Sequence, residues 1–279
     1  MKPADLQPAP KGWAARLELD FEARHGRTVL ARRRHHGPLL VQRSFPAPDG
    51  SCEAVLLHPP GGIVGGDRLE LAVRVGPGAQ ARLTTPAAGK LYRSDRALAL
   101  QAQSFTVAPG AALEWLPQLA ILYRGARAAQ HTRVDLGHEA RFIGWELCCL
   151  GRPSAEDGAW HGDYRPAFEL WQDGRPLLIE RGAFGEHGLG AGSASGLRGL
   201  SVFGTLLACP APAGDRAAEL MADLRSDPAL AVSCVDGVLA ARVLGADGEA
   251  AFGAFRRAWQ RLRPAVIGAA LDPPRIWNT

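Results

Sequence analysis

The sequence predicts a mainly β protein, a layered, β-helix-like stack of strands with two α-helices near its C-terminus. Three observations carry that expectation. Residues 67–75 alternate strictly, with Leu69, Leu71, Val73 and Val75 on one face and Arg68, Glu70 and Arg74 on the other. That is the period of a half-buried strand. A V-x-x-G unit recurs as Val75–Gly78, Val107–Gly110 and Val134–Gly137, spaced by 32 and then 27 residues, each followed by apolar residues such as Leu83, Trp115 and Phe142. Strand, tight turn and strand repeated at similar spacing describe coils stacked on one another. An antiparallel meander with glycine turns is the simpler alternative. Two late segments switch to a helical period.

Taken in order, residues 1–11 read as a loose tail, with three prolines in the first ten residues. Residues 12–279 show no compositional break and read as one domain. His131–Leu136 alternates through Thr132, Val134 and Leu136. Residues 166–181 read as a hairpin, because Asp173-Gly174 is a two-residue turn that accepts positive φ, and Asp236-Gly237 marks a second. Gly185–Gly199 is rich in Gly and Ser and reads as one loop. A helix is expected over about 215–226, with Ala217, Leu220, Met221 and Leu224 on one face and Asp215 as N-cap. A second is expected over 248–263, where Phe252, Phe255, Trp259 and Leu262 form an apolar stripe and Pro264 ends the helix.

Composition narrows the function. The chain has 279 residues, 47% hydrophobic and 22% charged, enough to bury a core without disulfides or structural metal. Five cysteines, none in a CxxC pair, fit a reducing compartment, and the vicinal Cys148 and Cys149 sit in an apolar run as small core residues. No apolar run reaches membrane-spanning length and the N-terminus has no signal-type core, so a cytoplasmic protein is expected. The net charge of +4 suggests nucleic acid, but 29 of the 32 basic residues are Arg beside abundant Ala and Gly, the signature of a GC-rich genome. The dense run Arg32–His36 reads as a solvated edge, and no nucleic-acid-binding motif accompanies it.

The most unusual stretch is His58-Pro-Pro-Gly-Gly-Ile-Val-Gly-Gly-Asp67. Its Gly61-x-x-x-x-Gly66 spacing mimics a phosphate loop, but Asp67 and Arg68 follow where such a loop needs Lys and Ser or Thr. A carboxylate there repels phosphate, so nucleotide binding is rejected. The loop is either a structural turn or a device presenting His58 and Asp67. Gly188–Gly192 follows no βα unit. The eight His are scattered, which argues against a tight metal site. Two carboxylates stand inside apolar strands, Glu146 and Glu180. Each is expected to turn outward or to pair with Arg152 or Arg181.

Together these segments resemble the UreD (also called UreH) family of urease accessory proteins. The matching residues are HPPGGIVGGDRL (58–69), TTPAAGKLYRS (84–94), LEWLPQ (113–118), GWELCCLGRP (144–153) and LWQDGRPLLIER (170–181). The resemblance spans roughly residues 12 to 265. It implies a layered β fold with two C-terminal helices and no catalytic activity. It further implies a scaffold for nickel insertion into apo-urease that binds urease on one side and UreF on the other. UreF in turn recruits the GTPase UreG, which carries nickel, and a water-filled passage is the implied route of the metal. The chain departs from the family pattern at Leu119, where Glu is usual, and at Tyr123-Arg124-Gly125-Ala126, where F-D-G-A is usual.

No tightly bound cofactor is expected, only nickel in transit. Transit needs weak, exchangeable donors, oxygen or single imidazoles, since soft or multidentate sites would hold the ion. Asp67 and Glu180 are the preferred residues, with Glu146 and His58 behind them. Phe252, Phe255 and Trp259, together with Tyr92 and Arg93, are expected to bind partners. A rival reading is a β-solenoid carbohydrate lyase or hydrolase using Asp67, Glu146 or Glu180 as acid and base. Against it stand an aromatic content of 7% and the lack of a secretion signal. A weaker rival is a basic nucleic-acid binder.

Overall fold

A computed structural model describes residues 12–95, 97–152, 159–185 and 192–278. The expected tail 1–11 and the glycines of 188–191 lie outside the described residues. In chain order the strands begin with β1 (Ala14–Arg24), β2 (Arg27–His36), β3 (Leu40–Pro46), β4 (Cys52–Leu57), β5 (Arg68–Val75) and β6 (Gln80–Thr84). They continue with β7 (Gly89–Leu91), β8 (Ala99–Val107), β9 (Ala112–Leu116), β10 (Ala120–Leu122), β11 (Arg127–Leu136) and β12 (Arg141–Leu150). The remainder are β13 (Asp163–Gln172), β14 (Arg175–Arg181), β15 (Phe184–Gly185), β16 (Val202–Cys209), β17 (Ala231–Val235) and β18 (Val238–Gly245). Helices α1 (Asp215–Arg225) and α2 (Gly248–Val266) complete the framework.

The strands form two facing sheets. The first runs β14-β13-β11-β8-β5-β1-β2, with β15 beside β13; the second runs β17-β18-β16-β12-β9-β6-β4-β3, with β7 and β10 alongside. The chain alternates between them: β5, β8 and β11 lie parallel in the first sheet, and β6, β9 and β12 lie parallel in the second. Each coil is therefore one strand from each sheet, joined by the repeated glycine turn. The hairpins at Asp173-Gly174 and Asp236-Gly237 form as expected, with both residues of each turn at positive φ.

Register corrects the third copy of the repeat. Val75 pairs with Val107, but Val107 pairs with Leu136 rather than Val134. Its turn is Leu136-Gly137-His138-Glu139, and Glu139 takes the left-handed conformation (φ +55°) that Gly78 (+68°) and Gly110 (+69°) take in the other two. The same bond closes all three turns: Ala79 to Gly76, Ala111 to Ala108 and Ala140 to Gly137, each N–H donating to the carbonyl at 3.0 Å. Those three alanines are fully buried and stack between the sheets.

Helix α2 covers the outer face of the second sheet. Asp247 caps it, accepting from the N–H groups of Glu249 and Ala250. It runs through Pro264 to Val266, because one lost bond in the last turn does not stop a helix whose packing continues. At α1 the N-cap is Gly214, with no side-chain cap, so Asp215 is the first helical residue and not the cap. The aromatic stripe expected to meet a partner is turned inward. Phe255 and Trp259 have no exposed surface, and Phe252 packs on Trp145 and Trp277. Trp145, Leu206 and Leu239 of the second sheet lie in one buried cluster with Phe255 and Trp259, and burying each aromatic contributes about 1.5–3 kcal/mol. Among the described residues no helix is long and apolar enough to cross a membrane.

Candidate functional site

The space between the sheets is apolar at two levels and polar between them. Across β5, β8, β11 and β13 the inward residues at one level are Val73, Phe105, Val134 and Leu170. One level along they become Leu71, Gln103, Thr132 and Phe168, continuing to Glu180 on β14, and the next level contains Gln101 and Gln130. Beyond that, Ala99, Ala128 and Tyr164 restore the apolar wall. Opposite, in the second sheet, Glu146, Thr205 and Arg242 share one level. A polar belt thus crosses the strands inside the sandwich.

Two cavities of about 500 Å³ each occupy this belt, and Glu146 and Cys148 line both. The first opens beside Glu180, Arg181 and Phe184. The second opens beside His58, Gly62 and Lys90. Glu146 bonds to Thr132 across the gap and to the Gln130 side chain. Thr132 Oγ1 also lies 2.9 Å from Gln103 Oε1. A hydroxyl carries one hydrogen, so when Thr132 donates to Gln103 the Glu146 contact needs a proton on the carboxyl.

Burial pushes the Glu146 carboxyl up to about 7; bonds from Thr132 and Gln130 oppose this, and the charge of Glu180 adds to it. Tyr164 donates to Gln130 Oε1 at 3.1 Å, and Cys148 Sγ lies 3.2 Å from the same phenol oxygen. The phenol hydrogen is thereby used, so the thiol is the donor in the second contact. Burial also pushes the Cys148 thiol up to about 12, which keeps a strong soft ligand protonated beside the cavities. Burial lowers the pKa of His58, with the Asp67 charge opposing, which favours the neutral imidazole. His58 Nε2 and Trp115 Nε1, both of cavity-lining residues, are buried without a hydrogen-bond partner.

The expected site residues separate into distinct roles. Glu146 faces inward and pairs with neither Arg, and Glu180 pairs with Arg242 of the opposite sheet rather than with Arg181. The reason is register, which places Glu180 on the inward side of β14 opposite Phe168. Asp67 is buried, and its two oxygens accept the N–H groups of Trp13 (2.8 Å) and Val64 (2.9 Å). It ties the glycine-rich loop to the start of β1. Tyr92 is exposed, lies over Gly62 where a Cβ would be 2.0 Å from its ring, and sits 4.9 Å from the Tyr123 ring. Arg93 is exposed and pairs with Asp95. Leu119, at the position where the family usually has Glu, lines the second cavity. Among the described residues no three His, Cys, Asp or Glu side chains come together as a metal cage.

Sequence reasoning missed Gln101, Gln103, Gln130, Thr205 and Arg242. A signal existed: Gln101 and Gln103 precede Phe105 and Val107 at spacing two, as Gln130 and Thr132 precede Val134 and Leu136. Polar residues at consecutive inward positions of neighbouring strands mark a belt, but only once the register is known.

This geometry defines a class: a two-sheet coil with a polar belt between the sheets and two cavities that share Glu146 and Cys148 in their lining. The chain belongs to the UreD family of urease accessory proteins, whose profile matches residues 14–278. It is 45% identical over 277 residues to the urease accessory protein UreD of Alkalilimnicola ehrlichii, covering 98% of this chain and 94% of that one. It is 45% identical over 274 residues to UreD of Dechloromonas aromatica (96% and 95% covered). It is 41% identical over 276 residues to UreD of Klebsiella aerogenes, with 98% and 100% covered.

Proposed function

We propose that this chain is a non-enzymatic cytoplasmic scaffold for nickel insertion into apo-urease, bridging urease and the UreF–UreG pair, and that nickel crosses it along the polar belt. The observation that supports this reading is that two cavities share Glu146 in their lining, between apolar layers. A divalent ion needs oxygen donors in sequence, none of them numerous enough to trap it. Glu180, Glu146, Thr132, Gln130 and Gln103 supply such a series from the first mouth inward, and His58 supplies one imidazole towards the second. Cys148 would trap the ion as a thiolate, and its burial and raised pKa oppose that. In this reading Asp67 acts by holding the glycine loop that shapes the second mouth.

Bridging needs a partner at each mouth. Tyr92 and Arg93 stand beside the second mouth with Trp13 and Val64, both exposed, and aromatic and Arg side chains dominate interface energetics. They form the partner contact at that end. Nucleotide hydrolysis belongs to a partner.

The test is reconstitution with purified apo-urease, nickel, GTP and the accessory proteins. Glu146→Gln combined with Glu180→Gln should leave assembly intact and lower the nickel content of the matured urease by about tenfold. Unchanged nickel content removes the passage from the reading. Turnover of a sugar by the chain alone would replace it with the hydrolase.

A further inference from the structure

Beside the second cavity, Ile63 and strands β7, β10 and β12 lie side by side, in register at Ile63, Leu91, Leu122 and Leu150, all buried. One residue further along stand Val64, Tyr92 and Tyr123. Two further stand Arg93, Arg124 and Arg152, all three exposed. The rows touch. The Tyr92 and Tyr123 rings are 4.9 Å apart, and the Arg152 guanidinium lies 5.3 Å from the centre of the Tyr123 ring. Arg93 packs over Gly125, where a Cβ would be 3.0 Å from its Cγ. Val64 (45% exposed) and Trp13 (56% exposed) extend the apolar row, their main chains held by the two oxygens of Asp67. Lys90, exposed at the edge of the cavity, adds a fourth cation.

The charge of this rim is positive. Asp67 lies buried beneath it and is taken up by backbone N–H groups. Asp95 pairs with Arg93 at 3.1 Å, but both side chains are largely exposed, and such a pair holds weakly in water. Arg124 stands where the family usually has Asp, so an acidic position of the rim is basic in this chain. Tyr and Arg side chains fixed on a rigid scaffold anchor protein interfaces, and a basic rim selects an acidic counter-surface. A single-stranded nucleic acid would need open ring faces for stacking. Here the rings are spent on Gly62, on each other at a tilt of 53°, and on Arg152.

We propose that this rim docks an acidic face of apo-urease, with Arg124 and Arg152 meeting carboxylates and Val64 and Tyr92 meeting the apolar side chains beside them. The choice of apo-urease rests on the passage reading. Glu180 at the first cavity draws a cation in, whereas the basic rim opposes its exit until carboxylates of the recipient neutralise it, and the recipient of nickel is apo-urease. The acidic complement follows from the rim alone.

The test measures binding of the full-length chain to purified apo-urease and, separately, to purified UreF, both in nickel-free buffer. Arg124→Asp with Arg152→Glu should weaken apo-urease binding by about tenfold or more, and Arg124→Lys with Arg152→Lys should keep most of the affinity. Val64→Asp should weaken it by about tenfold through the apolar row. If the charge-reversed pair fails to fold, Arg124→Asp alone serves, since its side chain is exposed and Asp is usual there; a loss of about threefold is then expected. The affinity for UreF should stay the same in every variant, which shows that the chain is folded. Unchanged apo-urease affinity overturns the proposal, and so does a loss that falls on UreF. Loss of a fluorescein-labelled RNA oligonucleotide instead of apo-urease would make the rim a nucleic-acid site and overturn it as well. Rim variants that lose apo-urease, beside a Glu146→Gln, Glu180→Gln chain that still delivers nickel, would sink the passage and leave the docking standing. The reverse pattern would keep the passage and remove the docking.

Discussion

Two of the regions that hold ionisable groups inside this molecule do so in opposite ways. Beneath α2, Arg263 is fully buried and each of its nitrogens has a partner. Nε and Nη2 bind Glu114 at 3.0 Å each, Nη2 also reaches Asp49 at 2.5 Å, and Nη1 reaches the Ala269 carbonyl at 2.5 Å. Trp259 donates to the same Glu114 at 2.7 Å. Burial would raise Asp49, but bonds from Ser51 and Arg263 outweigh it and hold the carboxyl below its usual value. In the belt between the sheets, Glu146 has no cation beside it, its pKa rises, and neighbouring polar atoms lack partners. The first region fastens a helix through Arg263, although Arg82 beside Glu114 keeps Nε and Nη1 without partners. The second keeps open space around a carboxylate that has no counter-charge, which a transit path needs and a structural core avoids.

The largest effect should come from Arg263→Ala, which strands Glu114 in the core. A loss of about 4 kcal/mol in urea unfolding is expected, and a loss under about 1 kcal/mol would show that the network fastens nothing. Next, Phe255→Ala should lower stability by about 3 kcal/mol through the cavity it leaves. Partner capture should fall only as far as the unfolded fraction rises, because that side chain is a core contact.

The belt should show itself through pH. The folded chain binds the Glu146 proton more tightly than the unfolded one, at about 7 against an ordinary 4.5. Its contribution is therefore fully present below the ordinary value and is lost as pH rises towards 7. The wild type should lose on the order of 2–3 kcal/mol relative to Glu146→Gln across that window, read as the difference between their unfolding curves. Parallel curves would mean that Glu146 is already solvated or paired. The smallest effect belongs to the scaffold common to both regions. Glu139→Gly should raise stability by about 0.5–1 kcal/mol, since it relieves a left-handed backbone at an exposed turn, and differential scanning calorimetry would register the rise.

Much of the fold was legible because its signals are local. Alternation from Leu69 to Val75 and the Asp-Gly turns need only neighbouring residues to be read. The late helices are visible for the same reason, although the stripe of Phe252, Phe255 and Trp259, which suggests a partner face, packs on the outer face of the second sheet. Strand β12 illustrates the limit. Both its faces are buried, so the run from Phe142 to Leu150 shows no alternation, and nothing local says that Glu146 points between the sheets while Trp145 points to α2. Of the candidate residues, Glu146, Glu180 and His58 were visible as anomalies, whereas Gln103, Gln130 and Arg242 looked like ordinary polar positions.

By itself the sequence determined the class: strands coiled through repeated glycine turns, helices at the end, no nucleotide loop, and a family resemblance written in contiguous motifs. These depend on short-range sterics and on the spacing of apolar side chains. The tertiary structure decided the register that moved the third repeat by two residues, the cross-sheet pairing of Glu180 with Arg242, and the alignment of polar side chains from different strands into one belt. Contacts between residues far apart in the chain exist only once both sheets are in place, and their energies depend on the space and dielectric that the assembled sheets enclose.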